Sequence, residues 1–260
     1  MKNNLKILTF LILIFLGGCK EDDELNDSVN TNSYESFNCI DGDCMNVGSN
    51  GIYSSLSDCQ GACGSVLSTI TDTRDGQTYE TVTIGSQIWF AENLRYSDNI
   101  PHVIGDQGWN ADYDTQQPAW SYHNDNPANN AIYGKLYNGY AVETGSLCPP
   151  GWHIPTEDEW TVLIDYLGGE SIAGGKMKTT TGWDAPNMDA TNSSGFSGLP
   201  GGARVTNGSS NGIGINGNWW SSTEFSYLGL KTYNLNYRFG SVEIESYAKH
   251  IGISCRCLMD

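Results

Sequence analysis

One stretch of this chain carries a clear helical period, and it limits what the rest can be. Trp160, Leu163, Ile164 and Leu167 fall at i, i+3, i+4 and i+7. The residues around them supply both helix ends. Thr156 with Glu159 three positions on spells a capping box, and Pro155 and Trp160 stand as its hydrophobic staple. Glu157 and Asp158 put carboxylates in the first turn, where the helix dipole favours them, and Gly168 stops the run. One helix over 157–167 and a second short one over 171–178 leave most of the chain to strands and turns.

The remaining pattern agrees with that. Asp75-Gly76-Gln77 is a turn, Tyr79, Thr81 and Thr83 alternate with Val82 and Ile84, and Gly85-Ser86 separates them from Gln87-Ile88-Trp89. This predicts a β-hairpin. Residues 97–130 are dense in Pro, Asn, Asp and Gly without periodicity, and so long a stretch is either a functional loop or hides an element that the pattern does not show. From residue 195 onward short strands alternate with Gly-rich turns. The expected class is α+β with little helix, and 31 Gly, 14 Tyr and 8 Trp suit a loop-rich domain with much aromatic surface.

The N-terminus reads as an export signal. Lys2 and Lys6 precede an apolar run, Ile7 to Leu16, too short for a transmembrane helix. It ends in Leu16-Gly17-Gly18-Cys19, which resembles a bacterial lipobox. Cleavage of the signal peptide 1–18 would leave Cys19 to carry diacylglycerol and palmitate. Lys20-Glu21-Asp22-Asp23-Glu24 resembles the acidic signal that sends Bacteroidetes lipoproteins to the outer face of the outer membrane, and it also reads as a solvated tether. Residues 19–34 are polar and are expected to be flexible. The expectation is an outer-membrane lipoprotein, held to the membrane by its N-terminal lipid and exposed at the cell surface.

A small module over 35–64 follows, with Cys39, Cys44, Cys59 and Cys63 in a C-x4-C-x14-C-x3-C spacing. Asp41-Gly42 suits a hairpin turn. In an exported chain two disulfides would stabilise such a segment with almost no core. Zinc is the competing reading, disfavoured because the spacing is not the paired CxxC form. Four cysteines allow three pairings and the spacing does not choose. Residues 65–73 read as a Ser/Thr-rich linker, and the main domain as 74–260.

Charge narrows the partners. Thirteen Lys+Arg against thirty Asp+Glu, a net charge of −17, speak against a nucleic-acid partner, because phosphate binding relies on clustered cations.

The order of motifs in the main domain is itself a signal. DGQTYETVTIGSQIWFAENLRY (75–96), YGKLYNGYAV (133–142), LCPPGWHIPTEDEW (147–160), SGFSGLPGGAR (194–204), NWWSSTE (218–224) and CRCLMD (255–260) resemble the Fibrobacter succinogenes major paralogous domain. That domain is in turn similar to the formylglycine-generating, sulfatase-modifying group, a variant of the C-type-lectin fold: "PTEDEW" compares with that group's "PTEAEWE". The resemblance implies a C-type-lectin-like domain and a structural disulfide between Cys148 and Cys257, the two cysteines that match the family. Cys255 departs from the family, where an apolar residue is usual, and reads as a small buried hydrophobe and an odd free thiol.

Three functions follow as expectations. The first is a non-catalytic binding or adhesion module for a glycan or a surface protein. The second is an enzyme related to the copper-dependent formylglycine-generating group, which needs a pair of nearby thiols on late loops. The third is a structural envelope protein. Cys148-Pro-Pro-Gly-Trp-His-Ile-Pro-Thr-Glu-Asp-Glu-Trp160 gathers a His and three carboxylates, yet nearly every residue in it has a local structural reason, and His153 stands in extended chain before the cap. His102, His123, His153 and His250 show no paired metal spacing, and no G-x-S-x-G elbow occurs. No catalytic residue and no required cofactor is expected. The calcium-dependent sugar triplets of C-type lectins are missing: Gln117-Pro118-Ala119 and Trp109-Asn110-Ala111 each fail at the third position. Asp106, Asp112, Asp114 and Asp125 remain weak calcium candidates. Trp109, Tyr113, Trp120 and Tyr122 are the expected ligand-facing aromatics.

Overall fold

The computed structural model describes residues 35–40, 43–55, 58–59 and 68–260. The signal peptide 1–18, Cys19 and the tether to residue 34 lie outside the described residues, as do Cys63 and the side chains of Cys39, Asp112, Tyr113 and Asp114.

In chain order the small module holds strands β1 (Phe37–Ile40) and β2 (Asp43–Asn46). Strands β3 (Ser68–Thr71), β4 (Thr78–Ile84) and β5 (Gln87–Phe90) follow. Then come helix α1 (Asp106–Thr115), β6 (Trp120–Ser121), the helical turn α2 (Asn130–Tyr133), β7 (Leu136–Tyr137), α3 (Gly139–Glu143) and β8 (Trp152–His153). Helices α4 (Glu157–Tyr166) and α5 (Glu170–Met177) lead to β9 (Gly201–Arg204), β10 (Ser210–Ile213), β11 (Asn216–Ser226), β12 (Gly229–Asn236), β13 (Val242–Ala248) and β14 (Leu258–Met259). The class is mixed α and β, mostly sheet with few helices.

The hairpin read from residues 75–89 forms as β4 and β5, joined at Ile84↔Gln87. Gly85 is required there: its φ is +61°, and a Cβ on it would stand 2.9 Å from the Tyr166 ring. Two segments differ from expectation. Residues 68–71, assigned to the linker on composition, pair with β4 from Ser68↔Thr81 to Thr71↔Thr78 and so belong to the main domain. Residues 106–115, within the stretch without periodicity, are helical. A mean polar helix with one deeply inserted aromatic carries no period for the sequence to show.

The last strand closes the domain. β14 lies between β5 and β8 in a five-stranded antiparallel sheet of order β3-β4-β5-β14-β8, with Leu258 opposite both Trp89 and His153. Just before it, the carbonyls of Cys255 and Cys257 accept from the amides of Leu94 and Phe90. Cys257 is bonded to Cys148, closing a loop across 109 positions. On the chain-entropy account such a cross-link contributes about 4–5 kcal/mol.

The second sheet, β11-β12-β13, separates two cores. Trp219, Tyr233, Leu235 and Val242 pack on one side with Trp89, Trp160 and Phe196. There Trp160 stacks on Tyr233 at 4.5 Å and meets Trp89 at 4.9 Å. Trp220 and Leu230 face the other core with Tyr137, Ile253 and Cys255. The tandem Trp219-Trp220 is therefore scaffold on both faces of one strand, as the alternation of a strand requires.

The small module is an antiparallel hairpin, Phe37↔Asn46 to Ile40↔Asp43. Tyr53 exchanges two backbone hydrogen bonds with Phe37 and packs on a small cluster of Phe37 and Cys59. A disulfide joins Cys44 to Cys59.

Candidate functional site

The helix start is built as its sequence dictates. The Glu159 amide donates to Thr156 Oγ1 at 3.3 Å and the Thr156 amide donates to Glu159 Oε2 at 2.8 Å, a closed capping box. What the sequence does not show is that His153 reaches the same carboxylate. Its Nε2 lies 2.9 Å from Glu159, and its Nδ1 lies 2.6 Å from the Asp260 carboxylate at the end of β14. Burial pulls the His153 pKa down, but the two carboxylates outweigh it and raise it above the ordinary imidazole value. Glu159 is raised by burial and lowered more by Thr156 and His153, so it sits below the usual carboxylate range. An imidazolium clamped on both nitrogens has no lone pair to take a proton. The cluster joins the helix start to the last strand. It borders a cavity of about 140 Å³ lined by Val142, Cys148, Ile154 and Ser222.

The expected ligand-facing aromatics go largely inward. Trp109 is 2% exposed. Its indole N–H donates to the His250 carbonyl at 3.0 Å, and the ring lies under Arg204 and against Gly252, where a Cβ would come within 2.7 Å. Trp120 is 7% exposed, donates to the Ile100 carbonyl, and is stacked by His102 at 3.9 Å. Tyr122 is half-buried, edge-on to Trp120 at 5.0 Å. Neither Trp109 nor Trp120 therefore offers an open face. Segments 95 to 143 residues downstream, carrying Arg204, His250 and Gly252, cover Trp109, and the local sequence holds no trace of them.

Asp106 and Asp125 are also engaged. Both Asp125 oxygens face the buried Arg204 guanidinium, and an Asp106 oxygen lies 3.9 Å from it. Burial raises the Asp125 pKa, and Arg204 more than reverses this, holding it below the ordinary carboxylate value. Arg204 supplies between Asp106 and Asp125 the positive charge that a calcium ion would bring. Among the described residues no group of three or more His, Cys, Asp or Glu side chains is arranged to hold a metal.

Cys255 is fully buried and unbonded, and burial pushes its thiol pKa well above the ordinary value. A protonated, inaccessible thiol is a poor metal ligand and a poor nucleophile.

Beside it runs a buried polar spine that composition does not announce. The Asn93 side-chain carbonyl accepts from Trp219 Nε1 at 2.9 Å and from Arg256 Nε at 3.1 Å. Arg256 donates further to the carbonyls of Phe90, Phe196 and Ser197, and burial lowers its pKa to about 9. This spine ties Phe196 and Ser197 to the segment that leads into β14.

A wider concave feature than the cavity beside His153 lies between the small module and the main domain. It is a groove of about 850 Å³. The module contributes Ile52, Tyr53, Ser54 and Asp58, and α5 contributes Ile172 and Lys176. The loop after α5 contributes Asp189, Thr191, Asn192 and Ser193. Lys176 faces Asp58 across it at 3.7 Å.

That loop is held firmly in an unusual backbone. Asn187, Asp189, Asn192 and Ser197 all have φ between +45° and +59°, a region L-residues rarely adopt. Its anchor is Lys178, fully buried, whose ammonium donates to the carbonyls of Met188, Asn236 and Phe239 at 2.7–2.9 Å. Burial lowers the Lys178 pKa to about 8. The Thr191 amide donates to the Gly175 carbonyl, and Asn192 and Ser197 exchange two further bonds. Strain kept in place by so many partners belongs to a rigid polar surface. The Asn and Asp density of 184–197 was the one sequence signal for it, and by itself it reads as turns.

An exposed hairpin tip also carries no turn signal in its sequence. Tyr227 and Leu228 form a two-residue turn between β11 and β12, 76% and 54% exposed, where turn chemistry favours Asn and Gly.

Comparison with known proteins places this architecture. No curated protein and no solved structure matches the chain. The sequence matches the model of the Fibrobacter succinogenes major domain over residues 82–259, from β4 through β14. The groove therefore has one wall within the matched region and one in the preceding module. With most of its length in that match, the chain belongs to the Fibrobacter succinogenes major domain family.

Proposed function

We propose that this chain is a non-catalytic binding module with a C-type-lectin-like fold, carried at the outer face of the outer membrane by a lipid on Cys19, and that the groove beside α5 is its ligand-contacting face. The observation that carries the reading is the groove itself: a preformed concavity whose polar loop is fixed in a strained backbone by the buried Lys178. Preorganisation of that kind lowers the cost of ordering side chains when a ligand arrives. The lipobox and the acidic run after Cys19 support display at the surface. The arrangement of sulfurs gives no support to the oxidase alternative, which needs two thiols within reach, because Cys148 is bonded to Cys257 and Cys255 is buried.

The test is direct. The mature, lipid-free chain is immobilised and offered glycans and surface-protein extracts, beside a Tyr53→Ala variant of equal thermal stability. Retention of a ligand by the wild type and its loss in the variant are expected. Equal retention by both would move the site away from the groove, and no retention at all would end the reading.

A further inference from the structure

We infer that the groove binds a neutral oligosaccharide; the inference rests on the groove being the ligand-contacting face. Its lining decides the chemistry. Tyr53 offers an aromatic ring, and Ile52 and Ile172, 80% and 49% exposed, offer aliphatic surface. The same lining carries carboxylates, an amide and hydroxyls: Asp58, Asp189, Thr191, Asn192 and Ser193. A ligand that fits must turn C–H faces to the first group and several hydroxyls to the second. Sugar rings do both, since an aromatic face packs on the ring's C–H side. Carboxylate and amide oxygens accept from hydroxyls with geometry fixed in advance.

Charge removes the competing saccharides. Among the described residues Lys176 is the one cation on the lining, and it already faces Asp58 at 3.7 Å, while Asp189 lies within electrostatic reach of the buried Lys178 ammonium, so the described lining offers no unpaired cation to an anionic sugar. On a chain of net charge −17, uronic, sialylated or sulfated sugars would be repelled. A purely apolar ligand would take water from the exposed Asp189 carboxylate and return no hydrogen bond to it. At about 850 Å³ the groove is at the large end of the range for small-ligand sites, so it suits several linked rings rather than one.

The disulfide-bonded module gains a role from this. Tyr53 is held by its two backbone hydrogen bonds to Phe37, and Asp58 is set beside Cys59, which is bonded to Cys44. The module is a wall of the binding site, placed by its own staple.

The experiment is a solution array. The labelled full mature chain is passed over immobilised neutral glycans, anionic glycans and surface-protein extracts, with Tyr53→Ala and the near-isosteric Asp189→Asn measured beside it. Asn tolerates the left-handed backbone at 189, so the second variant guards against a folding defect in the first. Binding to one or more neutral glycans is expected, weakened about tenfold or more by each variant, the loss of about 1.4 kcal/mol that one stacking or hydrogen-bonding partner supplies. Preference for anionic glycans or for a protein, still lost on Tyr53→Ala, would overturn the sugar class and keep the groove. Neutral-glycan binding unaffected by both variants would place the sugar elsewhere and overturn the inference. Silence across the whole array would overturn the inference and the binding-module reading together.

Discussion

His153 Nε2 lies 2.9 Å from the Glu159 carboxylate, so the residue that closes the capping box of α4 is also the residue that holds the strand before it. With Asp260 on the other ring nitrogen, the clamp joins three segments through one imidazolium.

The clamp predicts a pH dependence with a definite sign. The folded pKa of His153 is raised, so its contribution is fully present below the ordinary value of about 6.5 and is lost as pH rises through the raised value. The melting temperature of His153→Gln should fall below wild type at pH 6 and converge with it at pH 9. About a third of the side chain is exposed, so the difference should stay under about 1 kcal/mol. A gap that widened with pH would refute the clamp.

The cap itself is separable from the clamp. Thr156→Ala removes the acceptor for the Glu159 amide and should cost about 1 kcal/mol, measured by denaturant midpoint at constant slope. Ligand retention should be unchanged, because the helix start does not line the groove.

Lys178→Met should loosen the groove loop itself. Three carbonyls, on Met188, Asn236 and Phe239, lose their donor, at a cost of about 1–3 kcal/mol. Hydrogen exchange should accelerate in 187–193 more than in β11 and β12. Uniform acceleration would mean that Lys178 stabilises the whole domain and not the loop.

The sulfurs predict a thiol count. Native wild type should give no more reactive thiol than Cys255→Ser, and guanidinium should release one more from wild type than from that variant, because Cys255 is buried. Replacing Cys148 and Cys257 together by Ser should cost about 4–5 kcal/mol. A reactive native Cys255 would reopen the oxidase alternative.

The parts of the fold legible in the sequence are those whose causes lie within a few residues. Thr156, Glu159 and Gly168 act on amides one turn away, and the β4–β5 hairpin follows from alternation and Gly85. Helix α1 escaped because its burial rests on Trp109, and Trp109 is inside because Arg204 and Gly252 cover it. Asp125 reads as a free acid until Arg204 arrives from 79 positions away. The groove was hidden for the same reason, since one wall lies at 52–58 and the other at 172–195.

The sequence by itself determined the class of the domain, the start and end of its principal helix, the hairpin, and the family to which the motifs belong. The tertiary structure alone decided which aromatics are exposed, which acids are neutralised, and where a concave surface forms. Caps, turns and periods are set by interactions along a few bonds of chain, whereas exposure and charge pairing depend on what packs opposite, and for this chain the opposing residues come from segments far apart in sequence.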